Sequence, residues 1–479
     1  MRRPIRLLPW LSIVVYLISG NPLHAMTLLV PDQVPTVAAA VDSATFGDVI
    51  RIRPGIYAVR DVTLKDGIVI EPFSSSGAEQ VTLDAGGTGR IFLGFNLSAA
   101  TRLIGMTFIN GSGGDPDDGA NTGGGALVIY NSALEITGCT FRDNHSLRTY
   151  ADGGALYFFE SAPVIEHCTF TNNAARDAGG AIFFNDCGST PAVSDCVFTS
   201  NQAAWGGGAI AANGSNPQIS YCQFTDNYAS TAGGGYIQYE GSSGNLAWCI
   251  FARNSSGYGG AIASSYVLTV DHCTLYGNSG TIAGGGIAIN GMSFFDLANT
   301  IVSFSGEGAG LYFHDDGDLA AVVTNSDVYG NEGGNWAGAF AGFLGSAGNI
   351  ELDPGFCDAV AEDFGLCGDS PCLADDHHAL IGGSTDSCGP CLVDVPSLQI
   401  AVLKNPARSR NLTILVKVAH GSPNAPAVTV NSSAVVVSAI GEHVYLGHVF
   451  LPVSVGAATI LAEDTTEAGT GSSQAYVVF

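Results

Sequence analysis

The sequence predicts an all-β solenoid, a parallel β-helix with a capping helix in front and a small β-sandwich behind, and three observations predict it. Six segments share one template, an aliphatic residue, two variable positions, Cys, one variable position, Phe or Leu, two variable positions and Asn. They are Ile136/Cys139/Phe141/Asn144, Ile165/Cys168/Phe170/Asn173, Val193/Cys196/Phe198/Asn201, Ile219/Cys222/Phe224/Asn227, Leu246/Cys249/Phe251/Asn254 and Val270/Cys273/Leu275/Asn278. The cysteines follow one another at 29, 28, 26, 27 and 24 residues. Between each Asn and the next aliphatic position lies a Gly pair, as at Gly153-Gly154 and Gly179-Gly180.

A unit of this length is too short for a helix pair and lacks a 3.6-residue period, but it fits one coil of three short strands and three turns. Stacked coils set each strand beside its copy at roughly 4.8 Å, so equivalent residues form ladders. The aliphatic, Cys and aromatic positions are then expected to point inward, and the Asn to sit in a turn that tolerates left-handed backbone, stacked as an amide ladder. The Gly pair suits a bend too tight for a Cβ, or a close approach of coils.

Residues 1–25 read as a secretory signal, with Arg2, Arg3 and Arg6, an apolar run from Leu7 to Ile18 and a cut near Ala25. That run is short for a membrane span, Arg2-Arg3 lacks a wider twin-arginine motif, and no Cys follows until Cys139 to carry a lipid anchor. The solenoid is expected over 26–350. At its front, residues 34–43 form a short helix with Pro35 near its start and Val37, Ala40 and Val41 on one face. Imperfect copies extend the stack: Leu103/Met106/Phe108 upstream, and Val323/Ser326/Val328/Asn331 downstream, with a degenerate stretch around Asn299 and Ile301. At about 26 residues per coil this gives about 11 or 12 coils and a rod of about 55 Å.

Six of the 12 cysteines fall on one ladder position. Parallel side chains on neighbouring strands leave their Cβ atoms too far apart for a disulfide, so these six are expected to be unbridged core residues. Residues 351–395 form a Cys-rich closing segment in which Cys357, Cys367, Cys372, Cys388 and Cys391 make one or two disulfides of open connectivity; the alternative is a zinc site at Cys388 and Cys391 with His377 and His378. From 396 to 479, alternating apolar segments between Gly, Asn, Pro and Ser turns predict a small β-sandwich, Ig-like or a sorting module.

The stretch from the capping helix through Gly47-Asp48 to Pro54-Gly55-Ile56-Tyr57 resembles the opening of pectin-lyase-like right-handed β-helices. The repeats resemble the polymorphic outer-membrane protein type, whose marks are Gly-Gly-Ala-Ile (Gly179 to Ile182, Gly259 to Ile262) and Phe-x-x-Asn (Phe141 to Asn144, Phe251 to Asn254). Asp353-Pro354-Gly355-Phe356 and Asp363-Phe364-Gly365-Leu366 resemble the closing segment of exported bacterial β-helix proteins. The resemblance implies a right-handed coil and a secreted or outer-surface location. It leaves function open, because this architecture carries many activities and none.

With residues 1–25 removed, 14 basic residues stand against 43 acidic ones and the net charge is −29. Such a body repels phosphate backbones and anionic headgroups, so nucleic acid is excluded as a partner, while cations, polysaccharides and other cell-surface components remain. The chain reads as a monomer without a membrane span once the signal is removed. Polysaccharide lyases on this fold use calcium with a basic residue and hydrolases use paired carboxylates. The solenoid offers a single lysine, Lys65, and nine arginines. Two acidic clusters have Asp-x-Asp spacing in Gly-containing loops, which lets carboxylates converge on calcium: Asp115, Asp117 and Asp118, and Asp315, Asp316 and Asp318 after His314. A solvated turn is the other reading of both. His145, His167 and His272 beside the template read as turn or surface residues. Tyr150, Trp205, Tyr228 and Tyr258 lie between Asn and the Gly pair in successive coils, as a sugar-stacking strip or as turn packing. The leading expectation is a non-catalytic binding or structural rod, adhesin-like and glycan-directed, with no catalytic residues; the second is a polysaccharide lyase or glycoside hydrolase. An enzyme should bring three or more carboxylates, or an arginine, together on one face.

Overall fold

The computed structural model describes residues 25–73, 80–113, 123–147, 151–188, 190–291, 294–314, 320–374 and 380–383, and the backbone of strands between 398 and 478. The expected signal, residues 1–25, lies outside them apart from Ala25. By contacts the chain divides into two units, 1–366 with 370–387, and 367–369 with 388–479.

The first unit is a solenoid of about 11 turns. Its coils stack into three long parallel sheets: sheet 1, twelve strands from Thr27–Val30 to Ala320–Thr324; sheet 2, eleven strands from Gly55–Ala58 to Asp327–Tyr329; and sheet 3, ten strands from Val62–Thr63 to Leu311–Phe313. The middle coils carry a fourth strand that the three-strand expectation lacked. Sheet 4 has six short strands from His145–Ser146 to Ser279–Ala283, directly after each template Asn.

The ladders form in register. On sheet 1, Leu103, Ile136, Ile165, Val193, Ile219, Leu246 and Val270 are consecutive partners. On sheet 2, Phe108, Phe141, Phe170, Phe198, Phe224 and Phe251 stack with centroids 4.7, 5.0, 4.8, 4.8 and 4.4 Å apart and rings within 10° of parallel. All are fully buried, and the ring spacing is set by the interstrand distance. The six template cysteines are free and buried. Backbone N–H groups of Cys139, Cys168 and Cys249 donate to the Sγ of the next coil at 3.4 Å. Burial pushes the Cys139, Cys222 and Cys273 thiols up, keeping them protonated. In the degenerate stretch the Cys position is held by Thr300 and then Ser326, whose hydroxyls accept from the Cys273 and Thr300 N–H at 3.2 Å. Cys187 belongs to a separate column, where the Cys187 N–H donates to Ser215 Oγ at 2.9 Å.

The template Asn differs from the turn residue expected. Left-handed backbone falls on the residue before it, as at Asp143, Asn172, Ser200, Asp226 and Arg253. The Asn side chain points inward and is fully buried. Asn227 Oδ1 accepts from the Asn201 N–H at 2.9 Å and from Asn201 Nδ2 at 3.0 Å, while Asn227 Nδ2 donates to Phe198 O and Asn254 Oδ1, both at 2.9 Å. The amide ladder therefore satisfies backbone groups where a coil changes direction and sheet hydrogen bonds fail. The Gly pair divides its labour. Gly179 adopts φ +67, and a Cβ on Gly180 would lie 2.0 Å from Gly208 O.

Both ends are covered. Helix α1, Val37–Ser43, buries Val37, Ala40 and Val41, and it starts after Pro35 because the Thr36 hydroxyl accepts from the Ala39 N–H as an N-cap. At the rear, Phe340 is fully buried on a 3-10 turn, Gly338–Phe343, with its ring 6.0 Å from that of Phe295. The Phe356–Asp358 and Asp363–Leu366 hairpin sets Phe356 and Phe364 against Tyr276. Cys357 and Cys367 are disulfide-bonded, whereas Cys372 is a free, buried thiol on Asp327 Oδ2 at 3.3 Å. His377, His378, Cys388 and Cys391 lie outside the described residues. The second unit contains two four-stranded antiparallel sheets.

Asn227→Ala strips partners from the Asn201 N–H and the Phe198 carbonyl, so it is expected to lower stability by about 3 kcal/mol, read from the midpoint of chemical denaturation. Asp327 is fully buried, and that burial pushes its carboxyl up to about 7 from an ordinary 3.8. Between those values the folded chain keeps a proton that the unfolded chain has released, so stability falls as pH rises from about 4 to about 7 and then levels off. Asp327→Asn is expected to leave stability at pH 4 unchanged and to raise it at pH 8, by up to about 4 kcal/mol, in denaturation curves at the two pH values.

Candidate functional site

Sheet 3 has an outward column formed by one residue of each of its last eight strands. In register these are Val128, Tyr157, Phe183, Ala211, Ile237, Ala263, Ala288 and Tyr312. Where the column shrinks from Tyr157 and Phe183 to Ala211, Ala263 and Ala288, the surface sinks. The result is a groove of about 670 Å³ with Ile237, Ala263 and Ala288 on its floor.

One wall comes from the fourth residue after four successive template Asn residues, Asn173, Asn201, Asn227 and Asn254: Asp177, Trp205, Thr231 and Tyr258. Hydrogen bonds hold these four in a column, from Trp205 N to Asp177 O at 2.9 Å, Thr231 N to Trp205 O at 2.9 Å and Tyr258 N to Thr231 O at 2.8 Å. Four successive coils at the interstrand spacing make this wall about 14 Å long. The opposite wall follows the ends of the sheet 3 strands and carries Tyr239, Glu240, Tyr266, Asn290 and His314. Trp205 meets Tyr239 edge to face at 5.0 Å and Tyr258 meets His314 at 5.6 Å, while the Tyr312 hydroxyl lies 3.2 Å from His314 Nδ1.

The groove is acidic. Asp152 stands just before its Gly pair, and its Oδ1 accepts from the Ala178 N–H at 2.9 Å, next to Asp177. Burial, reinforced by the Asp177 charge, pushes the Asp152 carboxyl up to about 7. Burial also raises Asp177. The Tyr239 hydroxyl is pushed up by burial first, then by the charges of Asp152, Asp177 and Glu240. These three carboxylates therefore share one electrostatic neighbourhood. Among the described lining residues there is no lysine or arginine; Arg176, beside Asp177 in sequence, is exposed and outside the lining.

Of the aromatic residues singled out in the sequence, Trp205 and Tyr258 share this groove. Tyr228 does not. It is the first residue after its Asn, on sheet 4, where it pairs with Gln202 and Ser255, so the fourth strand separates it from the wall. Tyr150 and the two aspartate clusters, Asp115, Asp117 and Asp118, and Asp315, Asp316 and Asp318, lie outside the described residues. No cluster of three or more metal-ligating side chains occurs among the described residues. His272 lies flat on Trp248 at 4.1 Å, and Trp248 stacks on Tyr221 at 6.2 Å, a column whose inner ring faces are spent on one another. Asp152, Asp177, Tyr239, Glu240 and Tyr266 were not singled out in the sequence. The signal for one wall was the constant four-residue offset from Asn, but the opposite wall is defined by where strands end.

The family model for a right handed beta helix region matches residues 67–247 and 124–303, overlapping stretches that include the groove's Asp177-to-Tyr258 wall. The chain is a right-handed parallel β-helix. No curated protein matches it. Among the described residues no helix is long and apolar enough to cross a membrane. In this β-helix the groove occupies the outer face of one sheet.

Proposed function

We propose that this chain is an exported β-helix, secreted or held at the outer cell surface, whose lateral groove binds a polysaccharide segment. The observation that carries the reading is the groove itself, an elongated trough across successive coils with aromatic walls and a floor of small apolar residues. A sugar ring presents an apolar face and a hydroxyl rim. Trp205, Tyr239, Tyr258 and Tyr266 offer ring faces and edges to the first, and Asp177, Glu240 and Asn290 offer acceptors to the second. Export rests on the arginine-then-apolar pattern of residues 1–25 and on the acidity of the remainder.

A second reading, glycoside hydrolysis, is favoured by Asp152, Asp177 and Glu240, whose charges all bear on the Tyr239 hydroxyl. Asp152, with its carboxyl near 7, holds a proton close to neutrality, as a general acid must. A screen of polysaccharides for cleavage, with and without calcium, separates the two readings. Turnover lost in Asp152→Asn would replace the binding reading by the enzymatic one.

The binding reading expects Trp205→Ala and Tyr258→Ala each to weaken a bound oligosaccharide roughly tenfold in calorimetric titration, about 1.4 kcal/mol per ring. Ala263→Phe, which refills the floor as Phe183 does upstream, is expected to abolish binding while leaving the thermal transition within a few degrees. Unchanged affinity in all three variants would sink the reading.

A further inference from the structure

Resting on the polysaccharide reading, we infer that the groove selects glycans bearing ammonium groups, such as hexosamine polymers with free or alkylated amines, over neutral and uronate polymers. Two independent features of the walls point the same way. The first is charge. Asp177 and Glu240 line the groove, Asp152 adjoins Asp177, and no described lining residue is a lysine or arginine. Recognition of a carboxylated sugar calls for charge-assisted donors, above all a bidentate arginine, and these walls supply acceptors instead. The second is the aromatic set. Trp205, Tyr239 and Tyr258 stand within a few coils of one another, with Trp205 and Tyr239 in edge-to-face contact at 5.0 Å. Aromatic faces attract cations through the ring quadrupole, and rings combined with carboxylates are the general solution for holding a substituted ammonium group.

The geometry also explains why the preference is built into a groove rather than spread over the rod. The chain is acidic throughout, with 43 Asp and Glu against 17 Lys and Arg, and diffuse charge of that kind is screened within about 10 Å at 0.1 M salt. In the groove, the carboxylates sit beside a floor of Ile237, Ala263 and Ala288, and low-dielectric walls focus the field onto whatever lies in the trough. Asp177 lies on one wall and Glu240 on the facing wall, so a sugar held in the groove meets carboxylates from both sides.

The test is calorimetric titration of the full chain with three oligosaccharides of equal length: N-trimethylated glucosamine, whose charge is independent of pH, N-acetylglucosamine, and galacturonate. Titrations are run at pH 8 in 50 mM and 300 mM NaCl, with tetralysine as a non-sugar cation. The expected result is binding of the trimethylated oligomer at least tenfold tighter than the acetylated one, a ratio that contracts in 300 mM NaCl, and no binding of galacturonate. Asp177→Asn and Glu240→Gln, with folding checked by circular dichroism, are each expected to reduce the ratio severalfold, and because the ratio is taken within one variant a loss of overall stability cancels. Equal affinity for the trimethylated and acetylated oligomers would overturn the inference and leave the polysaccharide reading intact. Failure of all three sugars would overturn both, and tetralysine binding without any sugar binding would assign the groove to a basic peptide instead.

Discussion

The in-register stacking of like on like, fixed by the buried amide ladder, is the constraint on which the rest of this molecule depends. Each interior template Asn, as Asn227 does, links three coils, accepting from the backbone and side chain of the Asn before it and donating both to the next Asn and to a carbonyl beyond the preceding Asn. It does so inside the coil, where an unpartnered peptide group has no water to turn to. Once that ladder sets the register, the Phe and Cys columns follow from the strand spacing, and the thiols become packed, unbridged core groups.

Function, on this account, grows out of departures from the repeat at positions the ladder leaves free. The outward residues of sheet 3 pack into an apolar cluster of their own, apart from the columns inside the coil, so their size varies without disturbing the stack. Replacement of large rings by alanine over a few coils makes a trough in an otherwise filled face. The same freedom holds for the position four residues after Asn, where Asp177, Trp205, Thr231 and Tyr258 share a backbone role and differ in chemistry. A rigid sheet presents them at fixed intervals, which lowers the ordering cost of binding an extended, repeating ligand.

Most of the fold was legible before any coordinate. The six-fold template named the inward columns, and residues 34–43 carried the pattern of a cap whose buried face is Val37, Ala40 and Val41. The fourth strand was missed because two to five residues after Asn show no alternation of their own and pair only with their copies. Left-handed backbone was assigned to Asn when it belongs to the preceding residue, since a repeat period fixes spacing and not which of two neighbours turns. Grouping aromatic residues only by their place between Asn and the Gly pair put Tyr228 with Trp205 and Tyr258, although a register difference of three positions places it on another face.

By itself the sequence determined the coil length, the identity of the stacked core residues, the acidity of the body and half of the aromatic wall. Each of these is a property of residues at a constant separation along the chain, and a repeat makes separation in sequence equivalent to separation in space. Only the tertiary structure decided that Tyr239, Glu240, Tyr266 and His314 face Asp177, Trp205 and Tyr258 across a floor of small side chains. Those residues come from different coils and from both sides of a strand, and their distance depends on how far each coil turns before the next begins.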